Sequence, residues 1–491
     1  MTRVPRRVRH RARMIDRRFR AALTGLATVA ALAGVPAPSA AAPARTPETP
    51  APADSARRRP AARGAEDAMP GMDMGGAHHA HAAPTAGAPH VHTATMAGMD
   101  HAGHGAMRGA LGEYPMSREA SGTSWQPEAA PHVGLHEMRG DWTLMLHGNV
   151  DLIGDAQGGP RGDDRVFSAN MLMAMARRPL AGGWLGLRAM TSLEPATIGP
   201  RGYPLLLQTG ESADGVTPLV DRQHPHDLFM ELAASWSVSA GDASAFVYAG
   251  LPGEPALGPP AYMHRFSGED VPETPITHHW LDSTHITYGV VTLGAIRGAL
   301  KLEASAFRGR EPDERRWNLE SPKLDSYAGR VTFNPTPAWS MQGSAGRLES
   351  PEALEPGVDQ ARVTASIAHQ TTDARGGWGS LLAVARARNR PGHTLDAALL
   401  ESTRHLGRHA VFARLESVEK DELFGGSDPL AGHVFHVAKL GAGYAFELWH
   451  AAHGSLALGA YGSVSRVPPS LRGAYGDVPR GGMLFARARL R

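Results

Sequence analysis

Between Leu219 and Tyr288 the chain concentrates side chains suited to holding a first-row metal ion. Six histidines fall there: His224, His226, His264, His278, His279 and His285. Carboxylates accompany them at Asp221, Asp227, Glu231, Glu254, Asp270 and Asp282. Imidazole and carboxylate side by side are what such ions prefer. The competing reading gives the same histidines a structural task, hydrogen-bonding loop backbone and carboxylates. Charged clusters such as Asp221-Arg222, Arg308-Gly309-Arg310-Glu311 and Asp313-Glu314-Arg315-Arg316 support it. His224-Pro225-His226 also resembles the H-x-H pair of metal-dependent hydrolases, yet the parallel βα pattern that carries such pairs is not legible here. No serine triad, phosphate loop or dinucleotide fingerprint stands in a supporting context, so no enzyme activity is expected.

A second set of ligands lies upstream, within 69–107. Met72, Met74, Met96 and Met99 alternate there with His78, His79, His81, His90, His92, His101 and His104, among glycine and alanine. A solvated tail gains no packing from exposed thioethers. Thioether sulfur is a soft ligand for Cu(I), and imidazole suits Cu(II), zinc and nickel. The bland alternative is a low-complexity linker of accidental composition. Two ligand types clustering together favour a late transition metal, with a copper ion first and zinc or a similar ion as alternatives.

The elements that must position these residues are legible in the hydropathy pattern. The histidines sit beside prolines and glycines at the ends of alternating runs, which places them on loops. From Gly140 onward the chain reads with period two. Leu300, Leu302, Ala304 and Ala306 oppose Lys301, Glu303 and Ser305; Leu381, Ala383, Ala385 and Ala387 oppose Arg386 and Arg388; Leu484, Ala486, Ala488 and Leu490 oppose Arg487, Arg489 and Arg491. Sixteen such stretches follow between 140 and 491, joined by connections that alternate long and short. GDAQGGPRGDD after the first stretch is read as a long connection. Alternating loop lengths are the mark of an outer-membrane barrel, with alternation of arginine against alanine or leucine giving a polar lumen and a lipid-facing wall. A soluble β-helix, propeller or sandwich has no reason to keep that parity, and no fixed-period repeat is present. The fold expected is all-β: a transmembrane antiparallel β-barrel of about 16 strands with a disordered N-terminal tail.

Residues 1–42 read as an export signal. An arginine-rich start precedes the apolar run Ala21–Val35 and the small residues Ser39–Ala42. Nine arginines and one acid fall in that leader, so the basic character of the whole chain belongs to it and no nucleic-acid partner is expected. The absence of cysteine excludes a thiol enzyme and a disulfide-stapled module. The expected organisation is a signal peptide over 1–42, a disordered Met/His-rich periplasmic tail over 43–111, an irregular docking or plug segment over 112–139, and the barrel over 140–491. Its long loops 194–225 and 252–283 lie at the mouth or fold into the lumen. Leu251–Pro260, with its prolines and glycines, suggests a rigid lid or constriction.

The blocks YPMSREASGTSWQP, DRQHPHDLFMELA, GLPGEPALGPPAYMHRFSG, PITHHWLDSTHITYGVVTLG and ASAFRGREPDERR resemble an uncharacterised family of Gram-negative outer-membrane β-barrels associated with copper and heavy-metal efflux systems. The resemblance covers about 112–491. The tail is similar to the Met/His-rich leader of copper-resistance protein B. These likenesses imply an outer-membrane barrel tied to metal handling, with outer-membrane lipid and periplasmic metal-efflux components as partners, and bring no catalytic residues. The function expected is heavy-metal, chiefly copper, binding, resistance or export. The alternative is a general porin-like channel with an incidental tail, and a metal-dependent hydrolase ranks below both.

Overall fold

The computed structural model describes residues 107–131 and 133–490. The signal peptide and nearly all of the Met/His tail, with its candidate ligands Met72 to His104, lie outside the described residues.

Sixteen strands follow one another around a single sheet. They are β1 (Trp142–Gln157), β2 (Asp164–Leu180), β3 (Gly183–Thr191), β4 (Phe229–Ala240), β5 (Ala243–Gly253), β6 (Thr287–Arg297), β7 (Leu300–Phe307) and β8 (Ser326–Thr336). The second half comprises β9 (Trp339–Leu348), β10 (Asp359–Asp373), β11 (Gly376–Arg390), β12 (Thr394–Leu406), β13 (His409–Lys420), β14 (Phe435–Ala451), β15 (Gly454–Arg466) and β16 (Arg480–Leu490). Every neighbouring pair is antiparallel, and β16 returns to β1 with Leu490 opposite Gly148 and Phe485 opposite Ile153, which closes the barrel. A short strand, Leu135–Arg139, adds a hairpin to the start of β1. No helix among the described residues is long and apolar enough to cross a membrane.

One end of the barrel carries seven two-residue turns, at 181–182, 241–242, 298–299, 337–338, 374–375, 407–408 and 452–453. Gly241, Gly298 and Gly407 open three of them at φ of 63°, 56° and 59°, a conformation that suits the twist of a tight hairpin. The other end carries the long connections, chiefly 192–228, 254–286, 308–325, 349–358, 421–434 and 467–479. The first one is shorter than expected. β1 runs on through Gly154-Asp155-Ala156-Gln157, and only 158–163 join it to β2. Asp155 points inward at that end of β1 and is held by Gln157, which explains why polar residues continue the strand.

The wall is inverted relative to a water-soluble body. Leu484 is 69% exposed while Arg487 on the same strand is 4% exposed; Leu302 is 48% exposed and Lys301 is fully buried. Val150, Val166, Leu293, Val363 and Leu440 also face outward. Charged residues line the interior and large apolar ones the exterior, the arrangement of a barrel standing in lipid. Trp142, Trp236, Trp339, Trp378 and Trp449 lie on the outer face within a few residues of the short-turn end. Tryptophan collects at membrane–water boundaries because its ring is apolar and its N–H polar. β11 breaks the expected polarity. Leu381, Ala383, Ala385 and Ala387 point inward and are buried, while Arg386 and Arg388 point out. The lumen there is filled by Ile276, Trp280 and Leu281, so the inner face is apolar. Outside, Arg386 pairs with Asp396 of β12 at 2.7 Å.

The lumen is occupied by the chain itself. Residues 254–286 are almost entirely buried, and much of 192–228 is too. Inner-wall charges bolt the 254–286 segment in place: Glu401 takes Arg265 at 2.7 Å, Lys439 meets Glu273 at 2.7 Å, and Arg487 and Arg489 grip Asp270, while Arg265 also reaches Asp282 of its own segment at 2.6 Å. Buried ions need partners this close because the interior screens them poorly. The segment 108–131 closes over the short-turn end. Ala129 N–H donates to Pro337 O, Asn334 Nδ2 to Gln126 O, and Ser237 Oγ to Ala110 O. Its Leu111, Tyr114 and Trp125 join a buried apolar cluster that includes Phe246 and Tyr248 of the wall.

Candidate functional site

Five of the six plug histidines come together, brought by three local devices. His224 and His226 flank Pro225, which keeps the backbone extended before β4. His278 and His279 occupy the helical turn His278–Leu281, and His285 ends the 3-10 turn Ser283–His285. The rings form a row. Centroids are 5.4 Å apart for His226 and His285, 5.1 Å for His285 and His278, 5.6 Å for His278 and His279, and 6.0 Å for His279 and His224. Two imidazoles on one tetrahedral ion stand with centroids about 5 Å apart. The row therefore offers neighbouring pairs at ligand spacing rather than one closed cage.

Carboxylates orient the row. Glu194 Oε2 accepts from His226 Nδ1 at 2.8 Å, and Asp282 Oδ1 accepts from His278 Nδ1 at 2.8 Å. The backbone carbonyl of Asp282 takes His285 Nδ1, also at 2.8 Å. With Nδ1 committed, Nε2 is the remaining ligating atom of these three rings, the usual second-layer arrangement around bound metals, whereas His224 meets Glu211 Oε1 through Nε2 at 3.2 Å. His285 Nε2 is buried without a hydrogen-bond partner. Burial holds His224 and His285 well below the ordinary imidazole value and lowers His278, so these rings are neutral and available as ligands. Asp221 does not pair with Arg222 as its neighbour in sequence; it meets Arg161 and Tyr475, while Arg222 pairs with Asp163.

His264 stands apart from the row, its ring 6.1 Å from that of His147 on β1. Burial drives its pKa down to about 3, and its Nε2 lacks a hydrogen-bond partner. Both rings line a cavity of about 620 Å3 that runs inward from the short-turn rim at Ala374, Arg375, Gly407 and Leu490 to His224 and His226. Methionine is the conspicuous residue on its wall: Met145, Met171, Met173, Met175 and Met263. Met171, Met173 and Met175 alternate along β2 and so share the inner face. Register carries the pattern sideways, with His147 opposite Met173, Met173 opposite Met190, and Met190 opposite Glu231. Met230 and Ile286 complete the cluster.

These methionines, His147, Glu194, Glu211 and Glu352 escaped the sequence reading. The run Asn170-Met-Leu-Met-Ala-Met175 held the signal, since three thioethers two residues apart must share one face of a strand. Two further groups bring ligand atoms within 4.8 Å of one another among the described residues: His279 with Glu311 and Glu352, and Glu269 with Asp270 and His405. In the second group Asp270 is already held by His405, Arg487 and Arg489.

No known family matches the chain, and no curated protein does. Matches among solved structures are remote. An anion-selective porin from Comamonas acidovorans is 10% identical over 71% of this chain and 100% of its own, with a TM-score of 0.43. Salmonella typhi OmpF in complex with daunomycin is 8% identical over 72% and 100%, at 0.44. OprB of Pseudomonas putida is 9% identical over 71% and 94%, at 0.43. At these scores the likeness says nothing about what this lumen binds.

Proposed function

We propose that this protein is an outer-membrane barrel that binds a soft late transition-metal ion, copper foremost, inside a plugged lumen and passes it along methionine and histidine side chains without catalysing a reaction. The observation that carries the reading is the thioether row Met171, Met173 and Met175 facing the cavity that also holds His147 and His264 and ends at His224 and His226. The donor set fits the ion: thioethers suit Cu(I), and the imidazole row beyond them suits Cu(II). His264 Nε2 and His285 Nε2, buried without partners, are the orphan atoms such an ion satisfies. The cavity reaches the short-turn end, which in barrels of this class faces the periplasm. The described chain also begins there, where Arg177 holds the carbonyl of Arg108. On this reading the Met/His segment 69–107 gathers the ion in the periplasm, with efflux components as its suppliers, and Glu194 and Asp282 hold the receiving imidazoles.

A second reading is a porin-like channel, favoured by strand number, since sixteen strands suffice to enclose an aqueous pore. Two measurements divide the readings. Protein purified from outer membranes of copper-exposed cells carries copper on the first reading and none on the second. In planar bilayers the plugged barrel conducts little; a large, steady open conductance with no bound copper overturns the metal reading.

A further inference from the structure

A second group of ligands lies toward the long-connection end, away from the thioethers. His279 comes from the 254–286 segment, Glu311 from the 308–325 connection and Glu352 from 349–358. His279 Nδ1 stands 3.4 Å from Glu311 Oε1 and 3.8 Å from Glu352 Oε1. Neither ring nitrogen of His279 and neither carboxylate oxygen of Glu311 has a hydrogen-bond partner, although His279 is 7% and Glu311 6% exposed. Leaving so many buried polar atoms unpaired is costly.

The backbone enforces the approach. Glu311 N–H donates to Pro351 O at 3.0 Å, which sets the two acids side by side. Gly210 lies against the His279 ring at φ +101°, where an added Cβ would stand 2.3 Å from Cε1. Arg362 is near enough to act on both acids through space, but the nearby cations direct their hydrogen bonds elsewhere. Arg362 spends Nε on Gln360 and Nη1 on Ser283, and Lys420 donates to Gln208 and Thr209. Two ligand atoms on a tetrahedral ion at about 2.1 Å stand about 3.4 Å apart.

We propose that His279, Glu311 and Glu352 form a divalent-cation site, distinct from the methionine-lined cavity, that takes a borderline ion of the Zn(II) class. One nitrogen and two carboxylate oxygens select such an ion over Cu(I). Bound there, it replaces the missing counter-charge and ties three connections across the plug.

The test uses the full-length protein in detergent, stripped of metal. Titration with Co(II), a coloured stand-in for Zn(II), gives a visible d–d band that Zn(II) abolishes and that includes one equivalent beyond those bound by the tail histidines and the imidazole row. The double variant E311Q/E352Q loses that one equivalent, and E352Q alone weakens it. Ag(I), standing in for Cu(I), still binds the variant as it binds the wild type. Folding of each variant is read from its heat-modifiable mobility on gels; if the double variant fails to fold, E352Q and H279Q carry the test. Wild-type protein without that Co(II) equivalent, or variants that keep it unchanged, overturns the proposal. Loss of Ag(I) binding in the wild type overturns the copper reading alone.

Discussion

His226 gives both its donors to one oxygen: its backbone N–H reaches Glu194 Oε2 at 2.9 Å and its ring Nδ1 reaches the same atom at 2.8 Å. Beside a carboxylate Nδ1 carries the proton, so Nε2 keeps its lone pair for a ligand. Glu194→Gln leaves the shape but weakens the hold on the tautomer. Copper affinity is expected to fall by about 10–100-fold, the usual effect of losing such an orienting group. Isothermal titration with Cu(II) checks this, and an unchanged affinity removes His226 from the binding row.

The thioether row makes a cleaner chemical test. Replacing Met171, Met173 and Met175 together by leucine keeps volume and apolarity, so each change is expected to cost less than about 1.5 kcal/mol. The barrel folds, yet the Ag(I) equivalents held in the lumen disappear and only those of the 69–107 segment remain. If Ag(I) binds the triple variant as before, the methionines are packing and nothing more.

Arg487 couples wall to plug. It pairs with Asp151 on β1 at 2.7 and 2.8 Å and with Asp270 of the plug at 3.2 Å. Arg487→Ala strands the buried Asp151 carboxylate, while Asp270 keeps Arg489 and His405, and is expected to cost about 3 kcal/mol. Arg386→Ala removes an outward-facing pair and is expected to change stability by about 1 kcal/mol or less. The comparison is read as the shift in urea midpoint of the heat-modifiable band. Equal shifts would mean that Arg487 is as well solvated as Arg386.

Glu254 sets a pH dependence. Burial raises its carboxyl to about 8 from an ordinary 4.5, and its Oε1 has no partner. Between those values the folded chain holds a proton that the unfolded chain has released. Stability from this group therefore falls as pH rises from about 4.5 to 8 and then levels off. Glu254→Gln removes that slope, so its advantage over the wild type grows across the same window. Thermal unfolding at pH 5, 7 and 9 reads it, and parallel curves for the two proteins would show Glu254 ionised at neutral pH.

The strand wall was readable because lipid imposes a local rule. Leu300, Lys301, Leu302 and Glu303 alternate in sequence just as they alternate across the wall. β11 shows where the rule stops. Its arginines alternate with alanine in the same way, but Trp280 and Ile276 fill the lumen beside it, and that long-range fact reverses which face is buried. The bulge between Met190 and Thr191 does the same on a smaller scale, leaving Met230 and Glu231 buried in succession. The histidine row could be suspected from composition, but its order could not, since Pro225 and the turn at 278–281 send adjacent histidines to different neighbours. The methionines stayed hidden because a period-two count treats a thioether as one more apolar side chain.

The two segments that fill the bore, 192–228 and 254–286, are each continuous with a strand at both ends. A stopper tethered twice can tilt or breathe, but it cannot be expelled like a cork. On the proposed metal reading, an ion would therefore cross this barrel by exchange from one donor atom to the next, at the pace of side-chain rotation.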